Sequence, residues 1–180
     1  MSTVKWSAEA YQPKHEDRVA EIEASLFCKP LSGEFLRKAH SVPLCGGLVI
    51  VHRKKVQAYV LYENQISYKK GDKNTIATHI KRVVSADGYA GKGMEDCLME
   101  RLIRRSVSWK TPLVIDLPDF DLSGQLFLKG KDFLCVKTIQ TDDETLYRMV
   151  YNHKRLPENL FISRKKLIEQ ALQPNPEKMK

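Results

Sequence analysis

The segment Val83–Met94, with the sequence VVSADGYAGKGM, constrains the fold of this chain more than any other. β-Branched residues at its start predict an extended strand. The residues from Met94 onward repeat apolar side chains at helical spacing and contain no helix breaker. A glycine-rich turn therefore joins a strand to a long helix. The first N–H groups of a helix lack intrahelical acceptors and carry the positive end of its dipole, so this turn is predicted to bind a phosphate or diphosphate group.

The rest of the chain shows alternating strand and helix patterns. Strands are predicted over residues 4–11, 48–52, 56–62, 75–84, 113–117, 133–140 and 145–151. Helices are predicted over residues 13–27, 32–39, 94–108 and 123–129. The polar segment 63–74 fits either an exposed loop or a strand extension. The order β-α-α-β-β-β-α-β-α-β-β predicts an α/β protein with a mixed sheet, helices on both faces and a right-handed crossover over residues 75–117.

Length and cysteine usage limit the class of protein. The 180 residues predict one domain over 1–155 and a tail over 156–180 that carries a short helix at 163–172. Four scattered cysteines without a C-x-x-C pair favour reduced thiols in a cytoplasmic protein over a zinc site. The longest aliphatic run, Leu48–Val51, is too short to cross a bilayer, and the N-terminus shows no signal-peptide pattern. Trp6 and Trp109 are predicted to lie in the core.

The net charge of +8 favours anionic partners, which include a phosphorylated cofactor, nucleic acid and an acidic substrate. The basic residues form short clusters in different elements, as expected of solvated surface. The chain has neither a basic platform interleaved with aromatic residues nor helix-turn-helix spacing. Nucleic-acid binding therefore ranks last among the candidate functions.

The order of elements and the glycine turn together resemble the GNAT superfamily of acyl-CoA-dependent N-acyltransferases over roughly residues 3–151. The family signature is Arg or Gln, two free residues, Gly, one free residue, then Gly or Ala. Gly91 and Gly93 fill its last two fixed positions, whereas Gly88 replaces the Arg or Gln. A later family segment, Asn followed by a helix with Tyr and then Gly-Phe, is matched in outline only: Asp121 replaces Asn, Leu128 replaces Tyr, and Asp132-Phe133 replaces Gly-Phe.

The resemblance implies a GNAT-like central mixed β-sheet of about seven strands and acetyl-CoA, a form of coenzyme A, as cofactor. Backbone N–H groups from the turn would hold the cofactor diphosphate; their residues are Tyr89, Ala90, Gly91, Lys92, Gly93 and Met94. The strand at Val83 and Val84 would hydrogen-bond the pantetheine arm, which would enter a gap beside the strand 113–117. The last strands are a candidate interface for a homodimer.

Acetyl transfer to an amine requires a base, a donor for the oxyanion and an acid for the leaving thiolate. His79, on the strand that leads to the cofactor turn, is the preferred base, and an exposed or core-edge histidine is its alternative role. Glu63 and Asp116 are weaker candidates, with loop surface as the alternative role of Glu63 and a paired buried acid as that of Asp116. By family analogy, a backbone N–H near Val83 is the oxyanion donor.

Because Leu128 replaces the family Tyr, Tyr147 or Tyr151 is the candidate acid, and a position in the core is the alternative role of both side chains. Cys135 is a nucleophile only if a base lies beside it, and a small buried residue is its alternative role. The resemblance implies an N-acetyltransferase that acts by direct transfer on a primary amine of a small molecule or protein. The alternative is a module that binds acyl-CoA without efficient turnover, for sensing or assembly.

Overall fold

The computed structural model of the chain describes residues 5–69, 72–109 and 111–151. Seven strands and four helices alternate along these residues. The strands are β1 (Ala8–Ala10), β2 (Cys45–His52), β3 (Lys55–Lys69), β4 (Asp72–Ser85), β5 (Leu113–Pro118), β6 (Phe133–Gln140) and β7 (Thr145–Tyr151). The helices are α1 (Glu16–Leu26), α2 (Gly33–Ser41), α3 (Met94–Trp109) and α4 (Leu122–Lys129). The strands form one mixed sheet in the order β1-β2-β3-β4-β5-β7-β6, which confirms the predicted element order and fold class.

The described residues divide into two compact units. The first comprises residues 5–63 and 79–106, and the second comprises residues 64–78 and 107–151. Strands β3 and β4 each contribute to both units. The predicted boundary at residue 155 and the predicted helix at 163–172 lie outside the described residues.

In the first unit, helices cover both faces of β3. The buried Tyr59 donates its hydroxyl hydrogen bond to Glu23 of α1, with 2.6 Å between the oxygens. Tyr62 lies an odd number of residues away and therefore points to the opposite face, where it hydrogen-bonds Arg105 of α3. The core between the sheet and helices α1 and α2 is built from Val19, Ile22, Leu36, Ala39, Val49, Val56, Tyr59 and Leu61, among others.

Several predicted boundaries change because strand pairing extends beyond the local sequence signal. Residues 63–69 continue β3 and residues 72–74 begin β4, so the polar segment extends the strands. The first strand is shorter than predicted, because only Ala8–Ala10 pair with β2. A short 3-10 turn at Pro13–His15 precedes α1, which begins at Glu16.

Three single-residue predictions about burial are wrong. Trp109 is 45% exposed, because it is the last residue of α3. Trp6 is only half-buried, and its indole N–H donates a hydrogen bond to a backbone carbonyl. Cys135 is exposed, because it lies on β6, the last strand in the order of the sheet.

In the second unit, β7 pairs antiparallel with both β5 and β6. A small apolar cluster of Ala77, Val114 and Val150 lies within this unit. Asp116 and Arg148 are opposite each other in the β5–β7 register. Leu134 and Val136 are more than half exposed on β6, and the predicted homodimer through the last strands stays a prediction.

Candidate functional site

The turn between β4 and α3 requires glycine for conformational reasons. Gly88, Gly91 and Gly93 have φ angles of 77°, 72° and 78°, in the left-handed region that other L-residues rarely adopt. A Cβ atom added to any of the three would have no atom of the described residues within 4 Å. Close packing of the helix on the strand therefore does not explain these glycines. The turn needs them for its backbone path, and it leaves open space in front of the chain.

The hydrogen bonds of the turn determine which N–H groups remain for a ligand. The N–H of Tyr89 donates to the carbonyl of Ala86 at 3.0 Å, and the N–H of Lys92 donates to the carbonyl of Tyr89 at 3.3 Å. Two of the six predicted donors are therefore already used within the turn. For Ala90, Gly91, Gly93 and Met94, the described residues provide no backbone acceptor. The first bond of α3 runs from the N–H of Cys97 to the carbonyl of Gly93 at 3.1 Å, which leaves the preceding N–H groups at the helix start.

Charged side chains around the turn have both signs. The ammonium group of Lys92 lies 4.7 Å from the centre of the Tyr89 ring, a cation–π contact that places one positive charge beside the turn. Glu95 and Asp96 occupy the first turn of α3, where the helix dipole favours carboxylates. The positive contribution to anion binding therefore comes from the helix dipole, the aligned N–H groups and Lys92.

An aromatic group that sequence reasoning missed lies against the turn. The β1–β2 register pairs Ala8 with Ile50, so its continuation places Trp6 opposite His52. The two rings meet edge to face with centroids 5.5 Å apart, and the His52 ring lies 6.2 Å from the Tyr89 ring. The indole N–H of Trp6 donates to the carbonyl of Lys92 at 2.7 Å. No local signal in the sequence indicates this hydrogen bond, because its partners are 86 positions apart.

The end of β4 carries three of the predicted site residues. Val84 packs against the core cluster on the α1–α2 side, and Val83 points to the other face by strand alternation. His79 is half-buried on the same strand. The N–H of Ala86 donates to the carbonyl of Gln57 at 2.7 Å, which joins the end of β4 to β3 immediately before the glycine turn.

A buried acid holds the connection between α1 and α2 against β3. The Glu23 carboxylate is 1% exposed, and it accepts hydrogen bonds from the Tyr59 hydroxyl at 2.6 Å and the Leu31 N–H at 2.8 Å. Burial is the main cause that raises the pKa of Tyr59 above its usual range, and the hydrogen bond to Glu23 adds to it. The sequence signal was an acid on the apolar stripe of α1, four residues after Val19.

Arg82 of β4 fixes the same connection from a second direction. Its guanidinium lies 4.2 Å from the centre of the Phe27 ring and donates to the carbonyl of Lys29 at 3.0 Å. Its Nε atom is 3.6 Å from the Glu23 carboxylate. The residue directly before Val83 is therefore occupied in holding the loop after α1.

The candidate acids and the residue that replaces the family Tyr belong to the second unit. Tyr147 is half-buried on β7, between Leu117 of β5 and Thr138 of β6 in the register. Tyr151 packs its ring against Phe133 with centroids 5.5 Å apart. Leu128 is 1% exposed, so the position of the family Tyr is filled by a buried apolar side chain. Neither tyrosine is tested as an acid by these contacts, and both roles stay predictions.

At two positions where the chain differs from the family segment, the backbone geometry that the family residue allows is retained. Asp121 caps α4 by accepting a hydrogen bond from the N–H of Gly124 at 2.9 Å, a role that Asn performs equally well. Asp132, in the place of the family Gly, has a φ angle of 64°. Aspartate is among the few residues that tolerate this left-handed conformation, so the turn before Phe133 is retained.

Both weaker candidates for the base, Asp116 and Glu63, form ion pairs. Arg148 donates two hydrogen bonds to the Asp116 carboxylate, each at 2.7 Å, and both side chains are largely buried. This pairing raises the pKa of Arg148 and leaves Asp116 as a structural partner. Glu63 lies 3.1 Å from the ammonium group of Lys81. Neither carboxylate is therefore available as a base without breaking an ion pair.

Within the described residues, no group of three or more His, Cys, Asp or Glu side chains is arranged to hold a metal ion. None of the helices described is both long and apolar enough to span a bilayer.

The fold of this chain is similar to that of several solved structures. No protein-family model and no curated protein sequence matches the chain. NAA60 of Arabidopsis thaliana, solved with acetyl-CoA, aligns with a TM-score of 0.70 and 13% identity over 82% of this chain and 98% of its own. The ribosomal-protein-S18-alanine N-acetyltransferase of Escherichia coli aligns with a TM-score of 0.68 and 12% identity, over 85% and 99%.

A third solved structure is an acetyltransferase of the GNAT family from Streptococcus pneumoniae. It aligns with a TM-score of 0.63 and 16% identity, over 81% of this chain and 98% of its own. At these identities the similarity establishes the fold, and the chain covers nearly the whole of each of these structures.

Proposed function

We propose that this chain, whose fold is that of the GNAT acetyltransferases, transfers an acetyl group from acetyl-CoA directly to a primary amine. The open glycine turn at the start of α3 is the observation that carries the proposal. It presents the N–H groups of Ala90, Gly91, Gly93 and Met94, which the described backbone does not use, at the positive end of a helix. A diphosphate is the ligand that this arrangement fits best.

The chain's own residues have the following roles in the proposal. The glycine turn and Lys92 bind the diphosphate, and the β4 backbone at Val83 and Val84 orients the pantetheine arm. Bound acetyl-CoA supplies the acetyl group as a thioester. His79 accepts the proton of the attacking ammonium at an imidazole nitrogen, because a protein α-ammonium has a pKa of about 8 and cannot attack while it is protonated.

The oxyanion and the leaving thiolate need separate groups. A backbone N–H near Val83 donates to the developing oxyanion, as in the family that the chain resembles. The hydroxyl of Tyr147 is the preferred proton donor for the thiolate. Tyr151 is the weaker candidate, because its ring packs on Phe133. Orientation of the two bound substrates supplies much of the acceleration in a direct transfer.

The acceptor is proposed to be a protein α-amine. The Escherichia coli neighbour is named as an N-acetyltransferase of alanine in ribosomal protein S18, and the only amine nitrogen of an alanine residue is its α-nitrogen. The net charge of +8 further favours peptides that carry acidic residues. A panel of peptides with free N-termini, lysine-containing peptides with blocked N-termini and small amines therefore tests the acceptor class.

A second candidate function is acyl-CoA binding without efficient turnover. It is favoured by Leu128, because a buried leucine at the family Tyr position cannot protonate a leaving thiolate. The amine panel distinguishes the two candidates by thiol release. Release that depends on an amine supports the transferase, whereas saturable acetyl-CoA binding without release supports the binding module.

The cofactor is tested by calorimetric titration of coenzyme A into wild-type protein, Gly91→Glu and Gly33→Glu. Both substitutions add the same carboxylate where no described atom lies within 4 Å of the new Cβ, but only position 91 lies in the turn. We expect Gly91→Glu to abolish binding and Gly33→Glu to leave it unchanged. Equal binding by all three proteins, or no binding by the wild type, would overturn the proposal.

A further inference from the structure

We propose that Trp6 is a positioning residue that orients the diphosphate-binding turn through its indole N–H. The inference rests on the proposed function, because it concerns the same turn. It differs from the family analogy in that it depends on a side chain from the start of this chain. The contact at issue is the 2.7 Å hydrogen bond from Trp6 Nε1 to the carbonyl oxygen of Lys92.

The geometry of the peptide bond links the Trp6 hydrogen bond to the direction of the Gly93 N–H. The Lys92–Gly93 peptide is planar and trans, so the Lys92 carbonyl and the Gly93 N–H point in opposite directions. With the carbonyl directed at Trp6, the Gly93 N–H is directed away from it. That N–H has no backbone acceptor among the described residues. Trp6 therefore fixes the direction of one of the donors available to the diphosphate.

Glycine makes such a restraint necessary. Gly93, which follows the Lys92–Gly93 peptide with a φ angle of 78°, has no side chain to restrict rotation of that peptide unit. Without an external contact, the Lys92–Gly93 peptide can flip and turn its carbonyl oxygen toward the anion. A hydrogen bond to the carbonyl also polarises the peptide, which strengthens the N–H on its other side as a donor.

The position of Trp6 is itself held from three sides. Its ring meets the His52 ring edge to face at 5.5 Å, and β1 continues two residues later against β2. The Cys97 thiol of α3 lies 3.5 Å from the Trp6 carbonyl oxygen, as a weak donor. Sheet, helix and turn therefore fix the indole N–H before any ligand binds. This preorganisation lowers the entropic cost of binding the ligand.

The decisive variant is Trp6→Phe, because phenylalanine keeps an aromatic ring against His52 and removes the N–H donor. The matched control is Trp109→Phe, the same chemical change at the only other tryptophan of the chain, at the far end of α3. We expect the dissociation constant for coenzyme A, measured by calorimetry, to rise about 3- to 10-fold in Trp6→Phe, the size of one hydrogen bond. Trp109→Phe should bind as the wild type does.

A ligand without a diphosphate separates positioning from general damage. Acetyl-pantetheine contains the thioester arm but no diphosphate, so its Michaelis constant should be the same in Trp6→Phe and wild type. The Michaelis constant for acetyl-CoA should rise by the same 3- to 10-fold as the dissociation constant, with kcat unchanged. Equal losses with both acyl donors would overturn the positioning role.

Fluorescence supplies a test that does not depend on the stability of Trp6→Phe. In Trp109→Phe, Trp6 is the single tryptophan, and its emission should shift when coenzyme A or inorganic pyrophosphate binds. Unchanged emission at saturating ligand would overturn the inference. If wild-type protein binds no coenzyme A, the proposed function fails. If it binds coenzyme A and Trp6→Phe binds equally well, this inference alone fails.

Discussion

The Gly91→Ala substitution separates the backbone strain of the glycine turn from steric clash. The Cβ of alanine would have no described atom within 4 Å, so no clash contributes to the change in stability. The φ angle of 72° remains, and the left-handed conformation costs an L-residue about 1–2 kcal/mol. We therefore expect Gly91→Ala to lower the free energy of unfolding by about 1–2 kcal/mol.

Gly33 offers a matched control for this measurement. It is the first residue of α2, its φ angle is not in the left-handed region, and its added Cβ would also have no described atom within 4 Å. Gly33→Ala should stabilise the protein by about 0.4–1 kcal/mol, because alanine restricts the unfolded chain. The two variants should therefore differ by about 1.5–3 kcal/mol in urea unfolding, or roughly 3–12 °C in Tm.

Coenzyme A connects this stability difference to the proposed function. Ligand at 100 times its dissociation constant stabilises a folded protein by about 2.7 kcal/mol. Gly91→Ala keeps its N–H donor and should retain most of that increment, whereas Gly91→Glu should lose it. If Gly91→Ala proves as stable as Gly33→Ala, the turn does not impose a positive φ and the reasoning is refuted.

Three further outcomes follow from the structure. Burial lowers the pKa of His15, so its contribution to stability is complete above about pH 6.5 and declines as the pH falls. In urea unfolding, the free energy of unfolding of His15→Asn should depend less on pH than that of the wild type. Parallel pH profiles of the two proteins would contradict the assignment. Arg148→Met should destabilise the protein by about 3 kcal/mol, because it leaves the Asp116 carboxylate without its ion-pair partner. The double variant Arg148→Met/Asp116→Asn should recover most of this loss in urea unfolding. Absence of recovery would exclude the ion pair as the cause. Ser32→Ala should cost about 1 kcal/mol in thermal unfolding, because it removes the α2 cap on the Phe35 N–H, and Ser32→Asp should retain stability.

Local sequence signals were sufficient for the type and order of the elements. Apolar periodicity identified the helices, and Ser32, where the second helix was predicted to begin, caps α2 by accepting a hydrogen bond from the Phe35 N–H. The glycine turn was also readable, since three glycines within six residues have few conformational alternatives to a left-handed path. These features depend on neighbours in the chain, which a single sequence contains in full.

Strand ends were less predictable, because they depend on pairing between distant segments. The polar residues 63–69 continue β3, although their composition favours a loop as much as a strand. The burial of a side chain near the end of a helix was also difficult to predict. Trp109 matches the apolar stripe of α3 but is 45% exposed, since it is the last residue of the helix. Periodicity assigns a residue to a helix face but cannot say how far the covered part of that face extends.

The sequence by itself determined the element order, the glycine turn and the chemical class of the ligand proposed for it, because each follows from local backbone preferences and the charge of a helix start. Only the tertiary structure decided that Trp6 donates a hydrogen bond to the carbonyl of Lys92. It alone paired Asp116 with Arg148, which withdrew one candidate base. These contacts join residues 32 to 86 positions apart. They depend on strand register and packing, which local preferences do not contain.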